Sequence, residues 1–572
     1  MKKKRVLSFL LAGLMTATML SGCSSNNTDS KSTGTESTDS AATVTEPAAS
    51  TTEPDENAEI IDGRFVETRK ITVEVYDRSN DGGSKPEDNF FTDYIKEGML
   101  RDHNVEVTYQ IVPRWTETEV LNNLLAAGDA PDICVTYSYP TVQAYANMGG
   151  VTDLAPIIEE YWDYIPNLVN LLTEENIYYD LDPNTGTLWA VEARLFNRTP
   201  VVLFVREDWL NKLGLSEPKT MEEFEAMLYA FKDNAELLLG ADADKMVPFS
   251  ITTDVGFRMM DISESYIPND ITDKDYYIYS YDDRKLMFPS TKEAMRKLNE
   301  WYNAGLTWND FAVHTDSGTV EGDTLIKAGY VGSLIQNSDQ PYRNGDDGWT
   351  QSMMRMAGDD AAYITVAAFE NEAGLYRKYM SSPVDRKVFF PASNSEPLAS
   401  LLYLDWISKQ ENLTFLQTGE EGANHEVLPD GAIQSIAVTG EKIMNSQYNI
   451  DYTITCNGLH LENEELTLKS LALGYSGIDA SYIERSFDVS EYSIRNIPHA
   501  VVGEIEAEQG MDTVLKEKRD NLLAQAVVAS PDKFDSVWDA GMRDYLNSGG
   551  QAIIDERTAA WEAAYGDKVM LD

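Results

Sequence analysis

Cysteine is scarce, with 3 in 572 residues, which rules out a small scaffold stapled by disulfides. Histidine numbers only 5, at 103, 314, 425, 460 and 499. No two of these share metal-ligand spacing, so each reads as a structural residue. Positive charge is short: 46 basic residues face 95 acidic ones, a formal net charge of -49. That balance argues against nucleic acid and against close contact with an anionic lipid surface, and it fits simple solubility outside a cell. Beyond Leu20 no stretch approaches the roughly 18 apolar residues of a membrane span. Nucleophile-elbow, phosphate-loop and His-Glu-x-x-His patterns are all missing. Carboxylate pairs are unavoidable among 95 acids and by themselves say nothing of catalysis. No internal repeat is visible.

What is present begins with a basic cluster, Lys2 to Arg5, and an uncharged apolar run from Val6 through Leu20. This is the layout of a secretory leader. The run ends in Leu20-Ser21-Gly22-Cys23, which resembles the lipobox of bacterial lipoproteins. The resemblance implies a leader over 1–22 and a diacylglyceryl and fatty-acyl (palmitate-type) modification of Cys23, two chains being what holds a protein stably at a membrane. From Ser24 to about Glu59 the chain is Ser, Thr, Ala, Asp and Glu with Pro47 and Pro54, too polar to fold. As a flexible coil of about 36 residues it spans roughly 35 Å. Residues 23–66 are therefore expected to form a lipidated tether.

About 500 residues follow, in a chain that is 42% hydrophobic and 10% aromatic, enough for more than one core. Strand and helix signals alternate. Ile71, Val73 and Val75 alternate with polar residues, a helix is expected near Asp88 to Met99, and Val105, Val107, Tyr109 and Ile111 alternate again. A helix near Thr116 to Ala127, the turn Gly128-Asp129-Ala130-Pro131 and a short strand at 133–136 complete a βαβαβ opening. Such an opening implies a mainly parallel sheet covered by helices, with ligands at the carboxyl ends of its strands. Val201 through Val205 is continuously apolar, as in a strand buried on both faces. Thr220-Met221-Glu222-Glu223 has the pattern of a capping box opening an amphipathic helix. Ser290-Thr291-Lys292-Glu293 opens another that Gly305 ends. Trp209, Trp301, Trp406 and Trp538 fall in helical apolar stripes and are expected in cores. Cys134 and Cys456 could pair in an oxidising compartment, but Cys134 within Asp132-Ile133-Cys134-Val135 also reads as a free thiol buried in a strand.

Three further segments carry a wider resemblance. These are Leu124 through Ile133, with its Ala-Gly-Asp-Ala-Pro-Asp core, Val205 through Leu215, and Asn394-Ser395-Glu396-Pro397 followed by Leu401 through Trp406. With the lipobox they resemble, in order, the sugar-type (family 1) extracellular solute-binding proteins, especially lipoproteins of Gram-positive oligosaccharide importers. The resemblance implies an α/β, two-lobed periplasmic-binding-protein-like fold of type II, each lobe a mainly parallel sheet flanked by helices, with a cleft between them. Lobe one would take 67–192 and 386–450, and lobe two 193–385 and 451–572. It further implies a monomer anchored outside the cell membrane by lipid alone, binding an oligosaccharide and passing it to the permease subunits of an ABC importer, with no catalysis and no cofactor.

Sugar sites combine flat apolar faces with planar hydrogen-bonding groups. Candidates are Asp77 and Arg78 after the first strand, Trp115 after the second, Tyr137 and Tyr139 after the third, and Arg194 near the first crossing between lobes. Asn337 and Trp349 would face them from lobe two, and Asn394 lies before a helix on the return to lobe one. Arg194 and Arg198 could clamp a uronate, or they could simply balance neighbouring acids. The alternatives are a secreted carbohydrate-active enzyme working through two carboxylates, or a binding protein for a peptide or a polyol. Structural calcium is a further option. Asp77, Ser79, Asp81 and Gly82, with Asp88 at the twelfth place, resemble the start of a calcium loop, and Asp180, Asp182, Asn184 and Gly186 form a second partial set.

Overall fold

The computed structural model describes residues 59–79, 85–195, 201–282, 284–313, 320–343, 345–370, 374, 376, 382–438, 440–475, 477–491, 500–503 and 505–566. The expected leader, Cys23, most of the tether, Asp81, Gly82, Arg198, His314 and His499 lie outside them. The elements that position the site begin with β1 (Arg69–Asp77), α1 (Phe90–His103), β2 (Val105–Pro113), α2 (Glu117–Ala127), β3 (Cys134–Thr136) and α3 (Tyr139–Asn147). Next come β4 (Val191–Leu195), β5 (Val201–Arg206), α4 (Met221–Asp233), β6 (Val247–Ser250), α5 (Asp273–Tyr279) and α6 (Thr291–Asn303). Then follow β7 (Val331–Asn337), α7 (Trp349–Ala357), β8 (Tyr363–Val366), β9 (Val384–Phe389), α8 (Pro397–Ser408) and β10 (Cys456–Asn457). The chain closes with α9 (Asp512–Val528), α10 (Phe534–Tyr545) and α11 (Gln551–Tyr565).

Two bodies result, each built on a mixed sheet with a single reversed strand. In the first, β1 and β2 run parallel from Arg69 opposite Val105 to Asp77 opposite Pro113. A parallel bridge from Val73 to Ile133 leads into β3, and the order continues β3-β9-β4-β10 with β9 antiparallel to both neighbours. The second sheet has the order β8-β5-β7-β6, with β5 antiparallel to its neighbours and β6 parallel to β7. The apolar run in β5 is buried on both faces: Val201, Leu203 and Val205 join the core that holds Trp209, Trp301 and Trp538. Val202 and Phe204 join a separate cluster on the opposite face.

Local chemistry sets the helix ends. Asn89 caps α1 reciprocally with Thr92, its Oδ1 accepting from Phe91 and Thr92 N–H while Thr92 Oγ1 accepts from Asn89 N–H. Thr220 caps α4 as its motif predicts, but the Glu223 carboxylate accepts from Lys219 N–H, one residue further out than a capping box would place it. Gly128 ends α2 at φ +75°, a conformation costly for any residue with a Cβ. Gly98 has a different reason: a Cβ there would lie 2.1 Å from the Trp406 ring, so its absence lets α1 seat against α8.

The structure corrects the sequence in three places. In β2 the alternation changes phase, leaving Ile111 exposed and Val112 in the core, because the strand's far end turns the other face inward. The stretch 451–457, expected with the second lobe, packs with the first: Tyr452, Ile454 and Cys456 enter its core and β10 pairs with β4. Arg194, Leu195, Val384 and Asp385, also expected in lobe two, belong to the first sheet. Leu459 and Leu461 then join the second body's packing, against which Ile433 and Tyr448 also lie. Cys134 and Cys456 are separate buried free thiols, each donating to a nearby carbonyl, of Pro131 and Gly458 respectively.

Candidate functional site

Because β1, β2 and β3 run the same way, their carboxyl ends deliver side chains to one edge of the first body. Arg114, in the turn after β2, lies over the ring of Tyr137 at 4.2 Å and that of Tyr76 at 5.2 Å. The two tyrosine rings are nearly parallel, with centroids 6.3 Å apart. Glu117 at the start of α2 fixes this group: one oxygen accepts from Arg114 at 3.0 Å, and the other from Thr136 Oγ1 and the Tyr137 N–H. Beside it Trp115 is 75% exposed, with the Arg114 guanidinium 5.5 Å from its ring. A large indole left in water at the carboxyl edge of a sheet has no packing reason to be there, since burial would be favourable.

Arg78 is already committed. Its Nε and Nη2 reach the two oxygens of Asp451 at 2.7 and 2.8 Å, and that carboxylate side chain is fully buried. Asp77 Oδ1 accepts from Ser79 N–H and turns the chain at the strand end. Arg194 points back into its own body, donating to the Leu171 carbonyl at 3.2 Å. His460 lies near it, and burial first, then the Arg194 charge, push this imidazole down to about 4.

The two bodies meet around a cavity of about 350 Å³. Tyr139, Gln143 and Asp180 line it from the first body, and Tyr277, Glu508 and Arg557 from the second, together with the backbone of 500–503. Gln143 Nε2 donates across the junction to the Val502 carbonyl at 3.1 Å, and Tyr565 holds the same strip by bonding both N–H and C=O of Val501. Arg557 sits 4.1 Å from the centroid of the Tyr277 ring and donates to Glu508 at 2.7 Å. Burial raises Tyr277 to about 12, so its hydroxyl stays a neutral donor. Behind Tyr139, whose hydroxyl reaches the Asp180 carbonyl, Glu192 is hydrogen-bonded to the Asp180 side chain and ion-paired to Lys387 at 3.1 Å. Burial holds both carboxyls above their usual range, and the neighbouring Asp180 charge raises Glu192 further.

The structure therefore brings Asp77, Arg78, Trp115 and Tyr137 to one edge and sends Tyr139 to the cavity. Asn337 ends β7 in the second body, its backbone N–H taken by the Gln336 side chain. Two candidates are corrected. Trp349 is 6% exposed and packs in a core under α7, because the helix it begins turns it inward. Asn394 is spent on its own loop, donating to Asp132 O and Ser400 Oγ and accepting from Glu396 N–H, at the amino end of β3 and away from the site. The second calcium set does not converge either, since Asp182 caps a turn through Asn184 and Thr185 N–H while Asp180 faces Glu192. Among the described residues no group of three or more His, Cys, Asp or Glu could hold a metal, and no helix is long and apolar enough to cross a membrane. Sequence reasoning missed Gln143, Tyr277, Glu508 and Arg557. Asp180 stood out only as a turn residue, and no local pattern marks the others, because tertiary packing alone assembles them.

Residues 82–249 match the model of the bacterial extracellular solute-binding proteins. The polygalacturonan/rhamnogalacturonan-binding protein YtcQ of Bacillus subtilis (strain 168) is 23% identical over 484 residues, 81% of this chain and 86% of that protein. Lipoprotein LipO of the same organism is 24% identical over 355 residues, 59% of this chain and 65% of its own length. Among solved structures, the S. pneumoniae ABC-transporter substrate binding protein FusA in complex with kestose superposes with a TM-score of 0.58 at 14% identity, covering 87% of this chain and 100% of that one. Such structures share the two-lobed solute-binding fold.

Proposed function

Residues 82–249 carry the domain of the bacterial extracellular solute-binding proteins, and from that premise we propose that the chain captures an oligosaccharide for an ABC importer. The observation that carries this reading is the cavity between the bodies, to which both contribute tyrosine rings and polar groups. A ligand touching both bodies binds the closed arrangement better than an open one and shifts the equilibrium toward it, giving a permease a distinct form to recognise. What YtcQ and FusA are named for binding supports a saccharide over a peptide or polyol. Trp115, Tyr137 and Tyr139 are proposed as the ring-stacking and hydroxyl-binding residues of the first body, with Asp77 and Asn337 at the margin and Arg194, turned into its own body, in support. Arg78 serves by holding its strand end in place.

The carboxyl pair at the cavity does not favour a glycosidase. Asp180 and Glu192 are in direct hydrogen-bond contact, whereas paired catalytic carboxyls stand about 5 Å or more apart to admit the reacting atoms. We therefore read the chain as a binder without turnover.

Thermal denaturation of residues 59–572 against neutral and acidic oligosaccharides tests this. A ligand at 100 times its Kd adds about 2.7 kcal/mol, with no sugar consumed. Trp115→Ala should weaken that ligand by roughly tenfold while leaving the melting temperature of the free protein unchanged, as removal of an exposed ring should. A saccharide panel without any shift defeats the reading, and loss of sugar over time points to an enzyme.

The likeness to LipO and the lipobox pattern support anchoring through acylated Cys23 on the outer face of the cell membrane. Cys23→Ser should move the protein from the membrane fraction to the medium. Retention of the variant in the membrane fraction would refute the anchor.

A further inference from the structure

The strip Glu508–Met511 walls off a second cavity of about 300 Å³ inside the second body. Tyr281, Arg284, Met511, Lys516, Arg519 and Tyr545 line it. Glu508 lines both cavities, and Arg557, bound to Glu508, stands between them: its guanidinium is 4.1 Å from the Tyr277 ring centroid on one side and 6.0 Å from that of Tyr281 on the other. The Glu508 side of the dividing pair is 33% exposed, while the Arg557 guanidinium, 12% exposed, stays anchored against Tyr277, so passage between the chambers runs past Glu508.

Building on the oligosaccharide reading, we infer that these cavities are two chambers of one elongated site, in which the distal residues of a linear oligosaccharide enter the second chamber past Glu508 and Arg557. Three properties of the second chamber favour such an occupant. Its cations are each matched by a carboxylate, Arg284 with Asp254, Arg519 with Asp282 and Lys516 with Asp520, so it offers dense hydrogen bonding with little net charge. Tyr281 gives the chamber a half-buried ring, with Tyr545 buried behind it and hydrogen-bonded to it. Each chamber alone sits near the floor of the roughly 300–1,000 Å³ typical of small-molecule sites, and the two in series double the length available to a chain. Leu515, Ile553 and Met511 add apolar surface beside these polar groups, the combination that the C–H faces and hydroxyls of a sugar ring call for, whereas a strongly anionic occupant would meet no unmatched cation. Met511 forms part of the floor, with Gly549 at φ +134° leaving room for its terminal methyl, only 2.4 Å from where a Cβ would stand.

Titration calorimetry with oligogalacturonide and fructo-oligosaccharide ladders from two to six residues tests the assignment. Lys516 is an exposed rim residue, so Lys516→Trp plugs the chamber without entering the core, and Lys516→Gln controls for the lost charge. The wild-type protein should bind six residues more tightly than two. Lys516→Trp should cut hexasaccharide affinity by roughly tenfold and leave disaccharide affinity unchanged, with Lys516→Gln near wild type. Hydrogen exchange on the wild-type protein supplies an independent readout: a hexasaccharide should protect 281–284 and 511–519, and a disaccharide only the strip at 500–503. Equal effects on both lengths, or protection confined to 500–503 with the longer ligand, overturn the two-chamber site while the binding function stands. Absence of binding by any saccharide overturns both.

Discussion

Replacing Asp451 with alanine should destabilise the first body by roughly 2–4 kcal/mol, the cost of stranding a cation. The carboxylate is fully buried and accepts three hydrogen bonds, two from Arg78 and one from Asn445 Nδ2 at 3.0 Å. Removing it leaves the Arg78 guanidinium without a counter-charge in a space where water reaches only part of the group, 19% of the side chain being exposed. That residual exposure places the cost toward the lower end of the range for buried pairs. The loss also spreads, since the same Asn445 amide holds the Tyr76 carbonyl at 3.0 Å and so ties the end of β1 to the segment leading to the crossing at 458. Deleting both charges together should cost far less: Arg78→Met with Asp451→Leu removes the desolvation penalty along with the attraction. Urea denaturation of the two single variants and the double provides the measurement, read as midpoints at constant m. A cycle in which the single and double losses simply add would mean that the pair has no coupling.

How much of this was legible beforehand depends on the range of the interaction that decides it. The β1 and β3 ends could be placed from alternation and the Gly-Asp-Ala-Pro turn, both local, and Tyr137 and Tyr139 followed from strand direction alone. Trp115 drew notice because its neighbours are polar, and it is exposed at the carboxyl edge of the first sheet. Trp349 had the same polar neighbours and is buried, because it joins a core with residues as distant in sequence as Val202, Phe204 and Leu459. Arg78 could be assigned to a strand end, yet its commitment to Asp451, 373 residues away, was beyond any local signal. The same holds for the second body's share of the cavity, where α5 and α11 meet across nearly the whole C-terminal half. In 451–457 Tyr452, Ile454 and Cys456 alternate with threonines, but alternation does not say which core they enter; their packing and the pairing of β10 with β4 do.

Glu74→Gln should abolish much of the protein's loss of stability toward alkaline pH. Glu74 lies in β1 beside Tyr76 and Val135, fully buried, with one oxygen accepting from Val135 N–H at 2.8 Å. Burial raises its carboxyl from 4.5 to about 8, partly opposed by that hydrogen bond and reinforced by the Glu117 charge. Below about pH 4.5 folded and unfolded chains both carry the proton, and this residue exacts no penalty. As pH rises toward 8 the unfolded chain releases its proton while the folded one keeps it, so stability falls steadily across that window and levels off above it. At about 1.4 kcal/mol per pH unit, the loss attributable to this carboxyl is of the order of 5 kcal/mol. Glutamine keeps the shape and an oxygen for the Val135 N–H but has nothing to ionise. The variant should match the wild type near pH 4.5 and exceed it increasingly toward about pH 9, as read by the denaturation midpoint at each pH. Glu192 is raised in the same sense, so some slope will survive in Glu74→Gln, moderated by the neighbouring Lys387. A variant that falls in parallel with the wild type would show that Glu74 is ionised in the fold and that its surroundings are wetter than their packing implies.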